Sequence, residues 1–229
     1  MKTFFLKILF WKNDNNSSFR IDNTVVANWF NKTQSIVFSE KSAKKEEIVL
    51  RKLISTNQNT KILDLGCGDG RYAKLYSHNI SKYVGIDISE TFIINDKELI
   101  KSNNIEFIHS AAHEFIYPDK FDYILLIGLI TYMNDDEISQ MCDNCVGMLN
   151  DQGKIILRNV VNTKNKRFYY DDKLFFIKYL FGNPRYQIIR RTEDQVIRLF
   201  NRNFKLLNTL NILDTGYNVL VWGKKNEDK

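Results

Sequence analysis

The sequence predicts a single α/β domain built on a mostly parallel sheet, and three features of the chain indicate this fold class. An apolar strand pattern at 61–65 runs directly into a glycine-rich turn at 66–70. Short apolar runs then alternate with helical patterns, as in consecutive βαβ units. Two β-rich stretches, FKLLNTLNIL and YNVLVWGKK, flank a turn at 214–216. We therefore expect the sheet to end in an antiparallel hairpin.

Length and composition agree with one domain that has a sizeable core. The chain has 229 residues, of which 44% are hydrophobic, and only 2 are prolines, which argues against a disordered protein. The net charge of +6 comes from 33 basic and 27 acidic residues that are well mixed along the chain. This balance allows an anionic partner without requiring one, and we interpret the charges as a solvated surface.

Residues 1–12, MKTFFLKILFWK, place aromatic side chains between lysines. The segment is too short to span a bilayer and has no small-residue cleavage site, so we predict neither a transmembrane helix nor a signal peptide. We expect a cytoplasmic protein in which this segment packs on its own surface or on a partner subunit. Peripheral contact with a membrane surface is the alternative.

Two helices are predicted before the glycine turn. The first covers residues 22–38, and the second runs from Ser39, its expected N-cap, to Ser55. Ile48, Val49, Leu53 and the apolar stem of Lys52 give the second helix an apolar stripe that we expect to face the sheet.

The cysteines raise the question of a metal site, because Cys142 and Cys145 form a C-x-x-C pair. Zinc needs two further ligands, and the chain has only three histidines, none adjacent to this pair. The surrounding pattern is helical, with both cysteines near one apolar stripe. We predict two buried, small apolar residues and no metal.

The glycine turn has the features of a ligand-binding turn. Glycines lack a Cβ, so Gly66, Gly68 and Gly70 let main-chain N–H groups approach a ligand closely. A dinucleotide fingerprint would require a third glycine where this chain has Arg71, and its acid normally follows the second strand only. Here one acid, Asp64, precedes the turn, and another, Asp87, ends the next strand.

The stretch ILDLGCGDG, followed about two dozen residues later by VGIDIS, resembles the cofactor site of class I S-adenosylmethionine-dependent methyltransferases. The resemblance implies a Rossmann-like domain with a seven-stranded sheet, and S-adenosyl-L-methionine as cofactor. It also implies that Asp64 and the turn hold the methionine part, whereas Asp87 accepts both ribose hydroxyls. The cofactor-binding residues expected on this basis are Asp64, Gly66, Cys67, Gly68, Gly70, Asp87, Ile88, Ala111, Ala112 and Ile127.

The segment after the third strand departs from the family. Relatives often carry an aspartate for the adenine amino group where this chain has Ala111, so the main chain at Ala111 and Ala112 is expected to hold the adenine. His113 is next to this position. It either touches the cofactor or is an exposed histidine at the start of a helix.

FDYILLIGLITYMNDDE resembles the family's fourth motif, whose strand end faces the methyl group. It lacks the Pro-Pro-aromatic clamp of enzymes that methylate adenine in DNA, which disfavours nucleic acid as the acceptor. Tyr132 belongs at the rim of the ligand crevice, and Tyr132 and His113 are the candidate general bases. Arg158, at the end of the fifth strand, requires a negative partner, either an anionic group of the acceptor or a carboxylate on a helix.

Residues 162–191 form an insertion that mixes aromatic and basic residues. In small-molecule enzymes of the resembled family such a segment forms a lid over the substrate. The expected acceptor-binding residues are Tyr132, Arg158, Tyr170, Tyr186 and Arg190. The predicted domain organisation has residues 1–60 covering the cofactor site and residues 61–229 as the methyltransferase core, with the insertion as its lid.

These observations predict methyl transfer to an oxygen or nitrogen atom of a small-molecule acceptor, such as an anionic metabolite or a glycan. Three alternatives remain open: an RNA methyltransferase, a catalytically inactive cofactor-binding subunit, and a peripheral membrane enzyme. Aromatic and basic residues together also suit single-stranded nucleic acid, but the insertion is short and the overall charge is modest.

Overall fold

The computed structural model describes residues 40–160, 168–169, 188–189, 191–212 and 217–225. Helices and strands are numbered along this part of the chain. The helices are α1 (Glu40–Leu53), α2 (Arg71–Tyr76), α3 (Glu90–Leu99), α4 (Asp135–Met148) and α5 (Glu193–Phe200). The strands are β1 (Lys61–Leu65), β2 (Lys82–Asp87), β3 (Ile105–His109), β4 (Phe121–Ile127), β5 (Leu149–Val160), β6 (Phe168–Tyr169), β7 (Ile188–Ile189), β8 (Phe204–Ile212) and β9 (Tyr217–Lys224).

Seven strands form the main sheet, in the order β3-β2-β1-β4-β5-β9-β8. Strands β1 to β5 are parallel, and β9 pairs antiparallel with both β5 and β8. The predicted fold class is therefore confirmed, including the closing hairpin. The strand order reverses between β1 and β4, and ligands of open α/β sheets bind in the crevice outside the carboxyl ends at such a reversal.

Two apolar layers cover the faces of the sheet. Helices α4 and α5 pack on one face, where the rings of Phe200 and Trp222 stack at 5.3 Å between centroids. Cys142 and Cys145 are in this layer, each 1% exposed, which confirms their assignment as buried apolar residues. Helices α1, α2 and α3 contribute to the layer on the other face.

Helix α1 is where predicted, but its buried face is rotated. Leu50 and Ile54 are buried and Val49 is partly buried, whereas Ile48 is 56% exposed. The prediction that Ile48 faces the sheet is wrong. The buried positions follow a spacing of four residues and include Glu46, a charged residue that an apolar pattern does not place inside.

Two helices begin at capping residues, whereas Ser39, the predicted cap of α1, lies outside the described residues. The Ser89 side chain accepts a hydrogen bond from the Phe92 N–H and caps α3, and Thr192 caps α5 in a capping box with Gln195. Helix α4 begins with the acids Asp135 and Asp136, which favour a helix N-terminus, and its cap is Asn134.

Several predicted features lie outside the described residues. They are the segment 1–12, the helix at 22–38, most of the insertion, and the side chains Tyr170, Tyr186 and Arg190. The insertion is described only near its two ends, where β6 pairs antiparallel with β7. Among the residues that the structure describes, no helix is long and apolar enough to cross a membrane.

Candidate functional site

The carboxyl ends of β1, β2 and β4 meet at the reversal of strand order. The main-chain N–H groups of Gly66 and Cys67 both donate to the carbonyl oxygen of Ile86 at 2.8 Å, which ties the glycine turn to β2. Gly66, Gly68 and Gly70 have φ angles of 78°, 55° and 63°. L-residues with a side chain rarely adopt this left-handed region, so the turn depends on glycine.

Neighbouring side chains pack closely against the turn. A Cβ atom at Gly66 would lie 3.0 Å from Leu129 Cδ1, and one at Gly70 would lie 2.6 Å from Ile100 Cδ1 and 3.0 Å from the Asp96 carboxyl. Leu129 follows β4, whereas Asp96 and Ile100 belong to α3 and its end. Sequence reasoning did not assign these contacts, because no local pattern links the three segments.

Asp64 is buried beneath the glycine turn with 0% exposure. One carboxylate oxygen, Oδ2, accepts a 2.5 Å hydrogen bond from the Tyr83 hydroxyl of β2. The other, Oδ1, is buried and has no hydrogen-bond partner among the described residues. Burial raises the pKa of Asp64 to about 7, although the Tyr83 hydrogen bond acts in the opposite direction. A buried acceptor without a donor fits a cationic group bound above it.

Asp87 ends β2 beside the same turn. Its Oδ2 accepts a hydrogen bond from the Gly68 N–H at 3.0 Å, and its Oδ1 accepts one from the Ser89 N–H at 2.8 Å. Burial raises the pKa of Asp87, and these N–H groups partly offset that effect. A carboxylate offers about four acceptor positions. After two main-chain bonds, Asp87 retains capacity for two hydroxyl donors.

The segment after β3 lies next to Asp87, because the Ser110 N–H donates to the Asp87 carbonyl at 3.1 Å. This contact places Ala111 near the end of β2, beside Ile88, whose carbonyl contacts His109 Nε2 at 3.0 Å. The Ala111 carbonyl accepts from the Glu114 N–H at 3.2 Å, which forms a tight turn.

His113 lies in that turn, and its ring is buried. It is 6% exposed, with Nε2 3.5 Å from Glu114 Oε1, and its carbonyl accepts a 2.9 Å hydrogen bond from the Asn144 side chain of α4. The alternative of an exposed histidine at a helix start is therefore wrong. A role for His113 as a base, or in cofactor contact, stays a prediction.

At the end of β4, Ile127 is 9% exposed and the chain turns at Gly128, whose φ is 79°. A short 3₁₀ helix, Ile130–Tyr132, follows. Tyr132 is half-buried, and its N–H donates to the Leu129 carbonyl at 3.0 Å. Tyr132 thus lies on the connection from β4 to α4, and its position at the rim of the ligand crevice stays a prediction.

Arg158, near the end of β5, has a helix carboxylate as its partner. Its Nε lies 2.7 Å from Glu46 Oε2 of α1, off the ideal hydrogen-bond line, and its guanidinium lies 5.1 Å from the ring centre of Tyr217. The other Glu46 oxygen accepts a hydrogen bond from the Tyr72 hydroxyl. Of the two partners that the sequence left open for Arg158, the helix carboxylate is the one observed. Glu46 and Tyr72 were missed, since a buried glutamate has no local signature.

Comparison with known proteins agrees with this geometry. Residues 62–153 match the family model described as a methyltransferase domain. A search among curated protein sequences finds no match. Enzymes of the class I methyltransferase family use S-adenosylmethionine as methyl donor.

Solved structures share the fold. A protein from Pyrococcus horikoshii OT3 is 23% identical with a TM-score of 0.68, over 86% of this chain and 99% of that one. The 1,6-didemethyltoxoflavin-N1-methyltransferase of Burkholderia thailandensis, solved with 1,6-didemethyltoxoflavin and S-adenosylhomocysteine, is 13% identical with a TM-score of 0.69, over 89% of this chain and 87% of that one.

The N-methyltransferase NodS of Bradyrhizobium japonicum WM9, solved with S-adenosylhomocysteine, is 13% identical with a TM-score of 0.65, over 90% of this chain and 100% of that one. At these identities the structural likeness bears on the fold alone. The strand order, the acids flanking the glycine turn and the family-model match agree with one another. The chain therefore matches a methyltransferase-domain model over residues 62–153, within the fold that these solved methyltransferase structures share.

Proposed function

We propose that this protein transfers the methyl group of S-adenosylmethionine to an oxygen or nitrogen atom of a small-molecule acceptor. The observation that carries the proposal is the pair of acids around the glycine turn. Asp64 has a buried oxygen without a donor among the described residues, and Asp87 has unused acceptor capacity at the neighbouring strand end. An ammonium group and a ribose diol are the matching donors.

Each candidate residue then has a defined role toward the cofactor. Asp64 pairs with the ammonium group of the methionine part, and the turn of Gly66, Cys67, Gly68 and Gly70 encloses that part with main-chain atoms. Asp87 holds the ribose, and Ile88 with the main chain of Ala111 and Ala112 borders the adenine. Ile127 and Gly128 lie beside the sulfonium.

Bound S-adenosylmethionine supplies an electrophilic methyl carbon on a positively charged sulfur. The lone pair of the acceptor atom forms the new bond in line as the carbon–sulfur bond breaks, and the sulfur keeps the bonding electrons. The protein's main contribution is to align the two reactants and exclude water, which can supply about 7–11 kcal/mol. An acceptor hydroxyl or ammonium must also lose its proton, for which Tyr132 and His113 are the proposed bases.

On the acceptor side, Tyr132 forms one wall, and Tyr170, Tyr186 and Arg190 of the insertion are proposed to form another. Support comes from β7, near the end of the insertion, which packs beside the 3₁₀ helix that carries Tyr132. Arg158 is proposed to border the acceptor while its charge is balanced by Glu46.

We also propose the domain organisation that the sequence predicts. Residues 1–60 cover the site and residues 61–229 form the core, in which residues 162–191 are a lid. Within the first of these units, α1 supports the proposal because Glu46 reaches Arg158 on β5.

Isothermal titration of S-adenosylmethionine and S-adenosylhomocysteine into the purified protein tests the cofactor assignment, with NADH as the control ligand. We expect both adenosyl compounds to bind and NADH not to bind. A screen with methyl-labelled cofactor then compares small amines and hydroxyl compounds with RNA. Labelling of RNA alone, or cofactor binding without transfer to any acceptor, would favour the alternatives instead.

The raised pKa of Asp64 predicts that cofactor affinity depends on pH. Asp64 is ionised above about pH 7 and neutral below it, and only the ionised form pairs with an ammonium group. Affinity should therefore fall as the pH decreases below about 7, by up to roughly tenfold per pH unit. Titrations between about pH 5.5 and 8.5 measure this dependence.

Asp64→Asn should bind more weakly at about pH 8 and lose most of the pH dependence. The matched control is Asp96→Asn. Asp96 is a second buried acid whose pKa burial raises to about 7, but it faces Gly70 from α3 rather than lying beneath the turn. The prediction would be contradicted if the pH dependence of affinity persisted in Asp64→Asn and disappeared in Asp96→Asn. That result would identify Asp96 as the titrating group.

A further inference from the structure

Arg191 is a buried arginine that none of the roles above uses. It lies two residues after β7 and directly before Thr192, the cap of α5, and it is 1% exposed. A buried guanidinium requires acceptors for its N–H groups. Four of its hydrogen bonds go to one short segment, residues 130–135, between β4 and α4.

The guanidinium holds that segment at three points. Arg191 Nη1 donates to the Ile130 carbonyl at 2.7 Å, and Nη2 donates to the Met133 carbonyl at 2.8 Å. Nε and Nη2 also donate to Asp135 Oδ1, at 3.0 and 2.7 Å. A planar guanidinium can satisfy several acceptors at once, whereas a lysine ammonium is a single point charge. The contacts lie on both sides of Tyr132 in the chain.

The bound segment is the tight connection at the end of β4. The Thr131 hydroxyl donates to the Gly128 carbonyl at 3.1 Å, and the Tyr132 N–H donates to the Leu129 carbonyl. Strand β7 packs beside it, and β7 pairs with β6 to close the described base of the insertion. Arg191 therefore joins the end of the insertion to the connection that carries Tyr132.

We propose that Arg191 is a positioning residue, which fixes Tyr132 on the acceptor side of the methyl-transfer site by tying the insertion to the β4–α4 connection. The role of Arg191 in methyl transfer rests on the proposed function. Its role in holding the β4–α4 connection does not, because these contacts are made by the protein alone. Asp135 completes the arrangement as the counter-charge, and the two carbonyls set the direction of the guanidinium.

Arg191→Lys and Asp135→Asn test the proposal, with Arg198→Lys as the matched control because Arg198 is an exposed arginine of α5. Hydrogen exchange of the amides at 128–135 and the ¹⁹F signal of 3-fluorotyrosine at Tyr132, assigned with Tyr132→Phe, are measured without ligand. We expect exchange in this segment to be about tenfold faster in both test variants, with a shifted Tyr132 signal. Affinity for S-adenosylmethionine should change less than about threefold, because the described hydrogen bonds of Arg191 go to the β4–α4 connection and not to the glycine turn.

Unchanged exchange and an unchanged Tyr132 signal in folded Arg191→Lys would overturn the proposal. An equal rise in exchange across the whole domain would overturn it too, since it would mean a general loss of stability. If Arg191→Lys does not fold, the same two measurements on Asp135→Asn test the proposal. We expect this variant to fold, because it retains the hydrogen bonds from Arg191 to both carbonyls. Absence of cofactor binding in the wild type would refute the proposed function, while the ligand-free readouts still decide the role of Arg191.

Discussion

Replacing Asp87 with alanine is expected to weaken the binding of S-adenosylmethionine by about 100-fold or more. Under the proposed function, the carboxylate accepts two ribose hydroxyls, and each hydrogen bond to a charged group contributes about 1.5–3 kcal/mol. The substitution also removes the acceptor that holds the Gly68 N–H, so the turn loses one of its attachments. Isothermal titration measures the loss, and circular dichroism checks the fold.

The matched control is Asp122→Ala. Asp122 lies at the amino end of β4, whereas Asp87 lies at the carboxyl end of β2. Asp122 Oδ2 likewise accepts a hydrogen bond from a main-chain N–H, that of Lys61, at 2.8 Å. Its removal should lower stability and leave cofactor affinity nearly unchanged. Equal losses of affinity in the two variants would mean that Asp87 acts through general stability, and the ribose assignment would fail.

Replacing Glu46 with alanine is expected to lower the free energy of unfolding by about 3 kcal/mol, because it breaks a buried ion pair. Glu46 is 1% exposed, and the Arg158 side chain that it faces is 12% exposed. The substitution removes the carboxylate beside Arg158 Nε and the acceptor of the Tyr72 hydroxyl. Urea-induced unfolding, followed by circular dichroism, measures the change.

The neighbouring residue provides the control. Glu47 pairs with Arg51 at 2.8 Å on the surface of the same helix, with 42% and 54% of the side chains exposed, so Glu47→Ala should cost less than about 1 kcal/mol. The double variant Glu46→Leu with Arg158→Met should recover part of the lost stability, because apolar residues avoid the desolvation of an ion pair. A Glu46→Ala protein as stable as Glu47→Ala would show that the buried pair does not hold α1 in place.

The fold was largely predictable because its signals are local. The strand at Lys61–Leu65, the glycines of the turn and the caps Ser89 and Thr192 each depend on a few consecutive residues. The closing hairpin is likewise encoded by two β-rich stretches and the short turn between them. The rotated face of α1 was not predictable, since Glu46 is buried against Tyr72 and Arg158, which come from distant segments of the chain.

The candidate site likewise has features that were predictable from the sequence and features that were not. The acids at the ends of β1 and β2 and the glycines between them lie within about two dozen residues of sequence, so the resemblance that implies the cofactor class was visible in one stretch of the chain. Their surroundings were not identified from sequence. The packing of Leu129 against Gly66 depends on how neighbouring strands align in the sheet. So does the burial of Asp64 Oδ1, which has no hydrogen-bond partner in the part of the chain that the structure describes.

On the acceptor side, the chain's local patterns specify a β4–α4 connection with a tyrosine and an insertion rich in aromatic and basic residues. Tertiary structure adds the partners of the buried charges, Glu46 for Arg158 and Asp135 for Arg191. The hydrogen bonds of Arg191 join residues that are 56 to 61 positions apart in the sequence. Desolvation forces each buried charge to find a counter-charge or an acceptor, and folding determines which distant residue comes close enough to provide it.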